Sequence, residues 1–437
     1  MNDLSPAGIS LLDADKRHLI HPLHHPKDHA QPKLFVSGKG EMLHTADGKS
    51  YIDGLSCLWN VNVGHGRKEI ADAAGAQMAT LAYASAYAGF SNEPAIRLAE
   101  RLVGLAYDNM AAAYFTTGGA KPEKVKIISR RYGYHGVTFA AMSATSLPGY
   151  QKMFGPMVPN FHQVAPPYPY RWTGNGDAGV GAAEAVEEAI LAHGADTVAA
   201  VIAEPVMGAG GVIVPPATYW PALRQVCDKH GVLLIADEVI TGFGRTGRWF
   251  ALGHWGVEPD LMSFAKGVTS GYLPLGGVLV SKRVHQAIED APPEEKFMHA
   301  ATYSGHPACC AAALANLDII EKDGLVERAA SVGKKLAAGL ETLRSLPVVG
   351  DVRGIGMLGG VELVKDQASR TPEAGLGGKV VAQCAQRGLI IRQRGASDGP
   401  PASGDTLCFA PPLMTPEATI DRMVQIVGES IEAALAA

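Results

Sequence analysis

The sequence predicts an α/β fold: a large domain with a mostly parallel sheet flanked by helices, and a smaller α+β domain. Three observations predict it. Val198–Val206, Val232–Ala236 and Leu261–Phe264 are short, apolar runs of the kind that form parallel strands buried on both faces. Long stretches with helical spacing, Ser91–Leu105 and Pro307 to about Leu343, lie on either side of these runs. From Val348 onward the pattern changes to short strands joined by Gly-rich turns, with helices between them. A chain of 437 residues has room for both units.

Composition narrows the function. Hydrophobic residues at 47% and charged residues at 19% are ordinary for a globular protein. No apolar run approaches the roughly 18 residues that cross a bilayer. The opening residues lack the basic and apolar regions of a signal peptide, which points to the cytoplasm. A net charge of −5 gives no reason to expect a nucleic-acid partner. Six scattered cysteines, without a CxxC pair, argue against a disulfide framework and a zinc site. Five histidines within His18–His29 are interleaved with Pro22 and Pro26, which favours an extended strap over a ligand cage, so no metal is expected.

In chain order, Lys39–Asp53 alternates like a hairpin with Asp47-Gly48 as its turn. Trp59 follows, just before a Gly-rich bend. Ser91 or Asn92 caps the next helix, Pro94 falls in its first turn, and Ile96, Leu98, Ala99, Leu102 and Val103 form its apolar stripe. The run AAAYFTTGGA reads as a strand ending in a Gly-rich turn, and Lys126–Ser129 reads as the next strand. Only eight residues, Gly118–Val125, separate that strand from Thr117, whereas a parallel crossover needs about a dozen. Val380–Arg387 is helical, Gly388–Arg392 leads into a Gly- and Pro-rich loop, and Thr406–Phe409 is a strand. Thr415 caps the closing helix, with Ile420, Met423, Val424, Val427 and Ile431 facing inward.

The chemistry gathers on Val232–Lys266. One strand ends on Asp237 and Glu238; another ends two residues before Lys266. Ligands in open α/β sheets collect outside the carboxyl ends of strands, so the acid and the amine reach one crevice. A buried carboxylate for a ring nitrogen and a lysine that condenses with an aldehyde are the minimum set for pyridoxal phosphate chemistry.

The words DEVITGFGRTG, SFAKG and GYLPLGG together resemble the signature of the class III, fold-type I aminotransferases, and the likeness runs from LWNVNVGHG to FAPPLMTPE. The resemblance implies an N-terminal segment (1–60) contributing to the small domain, a large cofactor-binding domain (61–325) and a C-terminal small domain (326–437). It implies pyridoxal 5'-phosphate as cofactor, with Lys266 and Asp237 as catalytic residues. Gly118, Gly119 and Ala120 would hold the phosphate, Tyr134 would stack on one face of the ring and Val239 would pack on the other. His135 and Glu204 join the cofactor-binding set, Thr302 would reach the phosphate of a neighbouring subunit, and Trp59 and Arg392 would meet substrate. Arg392 would bind a carboxylate, although Arg394 lies two residues on and points the same way along a strand. Thr302 implies a homodimer or homotetramer with shared sites.

The sequence departs from the family in two places. The helix that relatives carry after the phosphate turn, opening on a serine-glutamate pair, is absent after Ala120. Either a segment is missing from this sequence, which the intact motifs elsewhere favour, or the chain has lost a core crossover. Ala209 stands where ornithine- and 4-aminobutyrate-type relatives carry a glutamate, which points to the amine or ω-amino acid:pyruvate branch. The expected function is transfer of an amino group from an amine donor to pyruvate or another 2-oxo acid. A decarboxylase, epimerase or aminomutase of the same fold, or a non-catalytic paralogue, is the alternative.

Overall fold

The computed structural model describes residues 11–19, 21, 32–84, 89–115, 124–295, 297–299 and 301–436. Fifteen strands are numbered in chain order. The first are β1 (Phe35–Lys39), β2 (Met42–Thr45) and β3 (Ser50–Asp53). Next come β4 (Met110–Tyr114), β5 (Lys126–Arg130), β6 (Phe161–Val164), β7 (Val198–Ala203), β8 (Leu233–Asp237), β9 (Leu261–Phe264) and β10 (Gly277–Ser281). The last are β11 (Val349–Ile355), β12 (Leu358–Leu363), β13 (Leu389–Ile390), β14 (Arg392–Arg394) and β15 (Thr406–Phe409).

The central sheet has the order β4-β10-β9-β8-β7-β5-β6. Strands β9, β8, β7, β5 and β6 pair in parallel, and β10 runs antiparallel between β9 and β4. Their side chains explain the arrangement: Val198, Val201, Leu234, Ala236, Met262 and Phe264 are sealed from solvent, as strands covered on both faces require. Helices Ala178–His193 and Tyr219–His230 pack on each other, and Pro307–Lys322 packs on Lys68–Thr80 and Glu93–Leu105. Among the described residues no helix is long and apolar enough to cross a membrane.

Two smaller sheets flank this core. In one, β2 and β3 form the hairpin expected around Asp47-Gly48, β1 adds to it, and β13 pairs in parallel with β3. In the other, the order is β11-β12-β15-β14. Arg392, on β14, lies opposite Cys408 of β15.

Several boundaries differ from the sequence reading. The helix Glu93–Leu105 is capped by the Asn92 side chain, which accepts from the backbone N–H of Ala95. That cap sets the inward face at Ala95, Leu98 and Leu102 and leaves Ile96 exposed. The helical stretch after Pro307 breaks at Gly324, whose φ of +59° starts a second helix, Leu325–Thr342. β7 stops at Ala203, before Glu204-Pro205. The last helix begins at Glu417, and Thr415, fully buried, makes no side-chain hydrogen bond among the described residues.

β4 and β5 run in the same direction but stand five positions apart. Five inter-strand steps of roughly 4.8 Å separate them by about 24 Å. Gly118, Gly119, Ala120 and the Ala120–Lys121 step lie outside the described residues.

Candidate active site

The parallel pairing of β8 with β9 brings the acid and the amine together. Asp237 is in register with Ser263, and Glu238 N–H donates to the Ser263 carbonyl at 3.0 Å. β8 therefore ends on Asp237 beside the end of β9, from which Ala265 leads to Lys266. Lys266 has a φ of +44°, a left-handed backbone unusual for a lysine, held where the chain turns into a short helical loop. Strain of this kind collects at functional sites.

Asp237 and Lys266 line one cavity of about 230 Å³. Its other walls are Tyr134, His135, Gly136, Glu204, Val239 and Ile240. Val239 reaches the cavity through a turn rather than along the strand: its backbone N–H donates to Asp237 Oδ1 at 3.2 Å. Glu238 faces elsewhere, accepting hydrogen bonds from Tyr107 and Thr241.

His135 Nδ1 lies 2.7 Å from Asp237 Oδ2, with side-chain exposures of 1% and 7%. Burial acts to raise the Asp237 carboxyl, but the hydrogen bond and charge of His135, the charge of Lys266 and the Val239 N–H together hold it below the usual carboxylate range. An ionised carboxylate accepts only, so Nδ1 carries the proton in this pair. The His135 backbone is fixed in turn by Thr145 Oγ1, which accepts its N–H at 2.8 Å.

Glu204 is nearly sealed. It accepts the Tyr134 N–H at 3.1 Å and the Gly208 N–H at 3.0 Å, and so ties two loops to the cavity floor. Burial pushes its carboxyl up, the nearby Asp237 charge adds to this, and His135 and Arg130 oppose it. The Lys266 amine is pushed below the usual lysine range, first by burial and also by Arg392, against the pull of Asp237 and Glu204. A lysine displaced that way holds more of the neutral, nucleophilic form.

Arg392, on β14, is not among the residues that line this cavity. Its Nη2 donates to Tyr150 Oη at 3.1 Å, and the Tyr150 ring stands 5.3 Å from that of Tyr134. Arg394 takes a different partner, stacking over Tyr132 at 4.4 Å. Trp59 is 2% exposed and belongs to an apolar cluster with Val206, Leu358 and Ile240; it is not among the residues that line the cavity. Thr302 is exposed and lies outside the cavity lining of its own chain; its carbonyl accepts from the Tyr83 hydroxyl at 2.7 Å. Tyr150 and Ile240 were missed by sequence reasoning. Ile240 had a signal in its adjacency to Val239, whereas Tyr150 had none, because its place depends on a contact with β14.

Comparison with known proteins agrees in family. The family described as Aminotransferase class-III matches residues 25–431. A diaminobutyrate–2-oxoglutarate transaminase of Halomonas elongata is 38% identical, covering 95% of this chain and 94% of that protein. A putrescine–pyruvate aminotransferase of Pseudomonas aeruginosa is 35% identical, covering 93% of this chain and 91% of that protein. A crystal structure of an (S)-enantioselective omega-transaminase from Thermomicrobium roseum matches with a TM-score of 0.90 at 41% identity, covering 100% of both chains.

Proposed function

The chain belongs to the class III aminotransferases, a family of pyridoxal phosphate enzymes, and from that premise we propose that it moves an amino group from a small amine or ω-amino acid to a 2-oxo acid with pyridoxal 5'-phosphate held between Asp237 and Lys266. The observation that carries this reading is the shared cavity of those two side chains. A cavity of roughly 150 Å³ accepts a benzene ring. About 230 Å³ is enough for a substituted pyridine ring. The donor set suits that ring, with a buried anion for its nitrogen and a neutral-leaning amine for its aldehyde.

When bound, the cofactor supplies an aldehyde carbon for the amine and a conjugated ring that draws electrons from the substrate Cα–H bond. Asp237, held in its ionised form, would supply the negative charge that stabilises a protonated ring nitrogen. Lys266 would hold the aldehyde and would serve as the general base that moves the substrate Cα proton. Tyr134 and Val239 would confine the ring, and Glu204 holds the Tyr134 backbone in place. Gly118, Gly119 and Ala120 are assigned to the phosphate. Arg392 binds the acceptor carboxylate, since its guanidinium fork is made for two oxygens and its charge already reaches Lys266.

Ala209 and the pyruvate-using relative favour pyruvate as acceptor, with 2-oxoglutarate, named for the Halomonas elongata relative, as the competitor. We assign the protein to the cytoplasm, as a homodimer or homotetramer in which the exposed Thr302 serves a neighbour's phosphate. Light scattering on the wild type and the cofactor affinity of Thr302→Val check the assembly.

The test of function is an isotope-labelled amine incubated with purified enzyme and each acceptor. Label should appear in alanine. Carbon dioxide release without label transfer would instead place the enzyme among the decarboxylases of this fold, and loss of neither label nor carbon would refute both transamination and decarboxylation. Lys266→Ala should abolish turnover; substantial transfer by that variant would remove Lys266 from its role.

A further inference from the structure

Outside the catalytic cavity, three side chains of different chemistry converge at the end of β3. Asp53, Cys57 and His65 each point one donor atom at a common space, all within 4.8 Å of one another. His65 Nε2 lies 2.9 Å from Asp53 Oδ2 and 3.9 Å from Cys57 Sγ. The transamination chemistry uses none of the three. We propose that Asp53, Cys57 and His65 form a binding site for a borderline-soft divalent cation of the zinc type, with a fourth position open to solvent.

Geometry, charge and rigidity support this. Tetrahedral zinc holds oxygen and nitrogen ligands about 3.3 Å apart and sulfur and nitrogen ligands about 3.6 Å apart, from bond lengths of about 2.0–2.3 Å. The observed separations differ from these by only a few tenths of an ångström in each case. A mixed carboxylate, imidazole and thiolate set selects zinc-like ions over magnesium or calcium, which prefer oxygen alone.

Two of the three donors are already fixed. Asp53 is fully buried, and its carboxylate accepts the backbone N–H groups of Leu55 and Cys57. His65 is anchored by paired backbone hydrogen bonds with Gly40 at 3.0 and 2.8 Å. Its ring also packs on Gly38, where any side chain would meet the histidine Cβ and Cγ at 2.9 Å. Cys57 is the exposed member and supplies the entry path. Binding sends the Cys57 thiol proton to solvent and requires the His65 ring proton on Nδ1, which leaves Nε2 free for the metal. Trp59 lies two residues beyond Cys57 and shares an apolar cluster with cavity-lining Ile240.

The test is calorimetric titration of the untagged, assembled enzyme with Zn²⁺, beside Cys57→Ala, His65→Gln and a variant with His18, His21, His24, His25 and His29 changed to Gln. One site per chain is expected. Affinity should fall roughly tenfold or more in Cys57→Ala and His65→Gln and stay unchanged in the histidine-segment variant. Co²⁺ should give a thiolate charge-transfer band that Cys57→Ala lacks, and Mg²⁺ should give no heat. Equal affinity in wild type and Cys57→Ala would overturn the proposal. So would loss confined to the histidine-segment variant, or no binding by the wild type. Cys57 is exposed, so its truncation leaves the fold intact and the comparison readable.

Discussion

Replacing His135 with leucine tests how Asp237 is kept ionised. The change removes the 2.7 Å contact to Asp237 Oδ2 and leaves, as hydrogen bond among the described residues, the Val239 N–H on Oδ1. Both side chains are nearly closed to water, so solvent cannot substitute for the lost donor. A hydrogen bond to a charged group contributes about 1.5–3 kcal/mol. At about 1.36 kcal/mol per pH unit, its loss moves the acid limb of the kcat profile upward by about one to two pH units. The direction follows from the carboxyl itself. Burial raises it, and His135 is the largest influence bringing it below its ordinary value of 3.8. With His135 gone, burial is less opposed and Asp237 takes up its proton at higher pH. The same depressed carboxyl stabilises the fold above pH 3.8, and this contribution disappears as pH falls through the folded-state value. The assay is kcat at saturating amine and acceptor across the acid range, with His135→Asn as a variant that retains a donor. Superimposed acid limbs for wild type and His135→Leu would refute the argument.

Other outcomes are equally concrete. Arg392→Ala should raise KM for the 2-oxo acid by roughly 10- to 100-fold, the worth of a charge-assisted bond of about 1.5–3 kcal/mol, with little change for an uncharged amine donor; steady-state kinetics with both substrates varied separates the two. Trp220→Ala, at a fully buried ring packed between the sheet and its helices, should destabilise by about 3–5 kcal/mol, read as a lower denaturant midpoint. Gly324→Ala forces a left-handed residue between two helices and should cost about 1–2 kcal/mol in the same measurement.

Much of the local structure was legible because it is recorded in short-range chemistry. β9 and β15 fall where apolar runs end, the hairpin turns at Asp47-Gly48, and Asn92 caps its helix through a side-chain oxygen three residues from its donor. The placement of an acid and an amine beyond two strand ends was also legible, because buried parallel strands have a distinctive pattern and their carboxyl ends open to a crevice. Ile96 misled because a cap shifts which residues face the core by a fraction of a turn, and periodicity alone does not carry that phase.

The sequence by itself therefore determined the fold class, the family likeness and the pairing of Asp237 with Lys266. Only the tertiary structure decided that β4 and β5 stand five strands apart and that β13 returns to pair with β3. It also decided that Arg392 meets Tyr150, and that Asp53, Cys57 and His65 converge on one point. The reason is physical. Period, capping and turn chemistry act over a few residues and are written in order along the chain. Strand order and long-range contacts are set by how all the apolar surfaces pack at once, and no short stretch holds that sum.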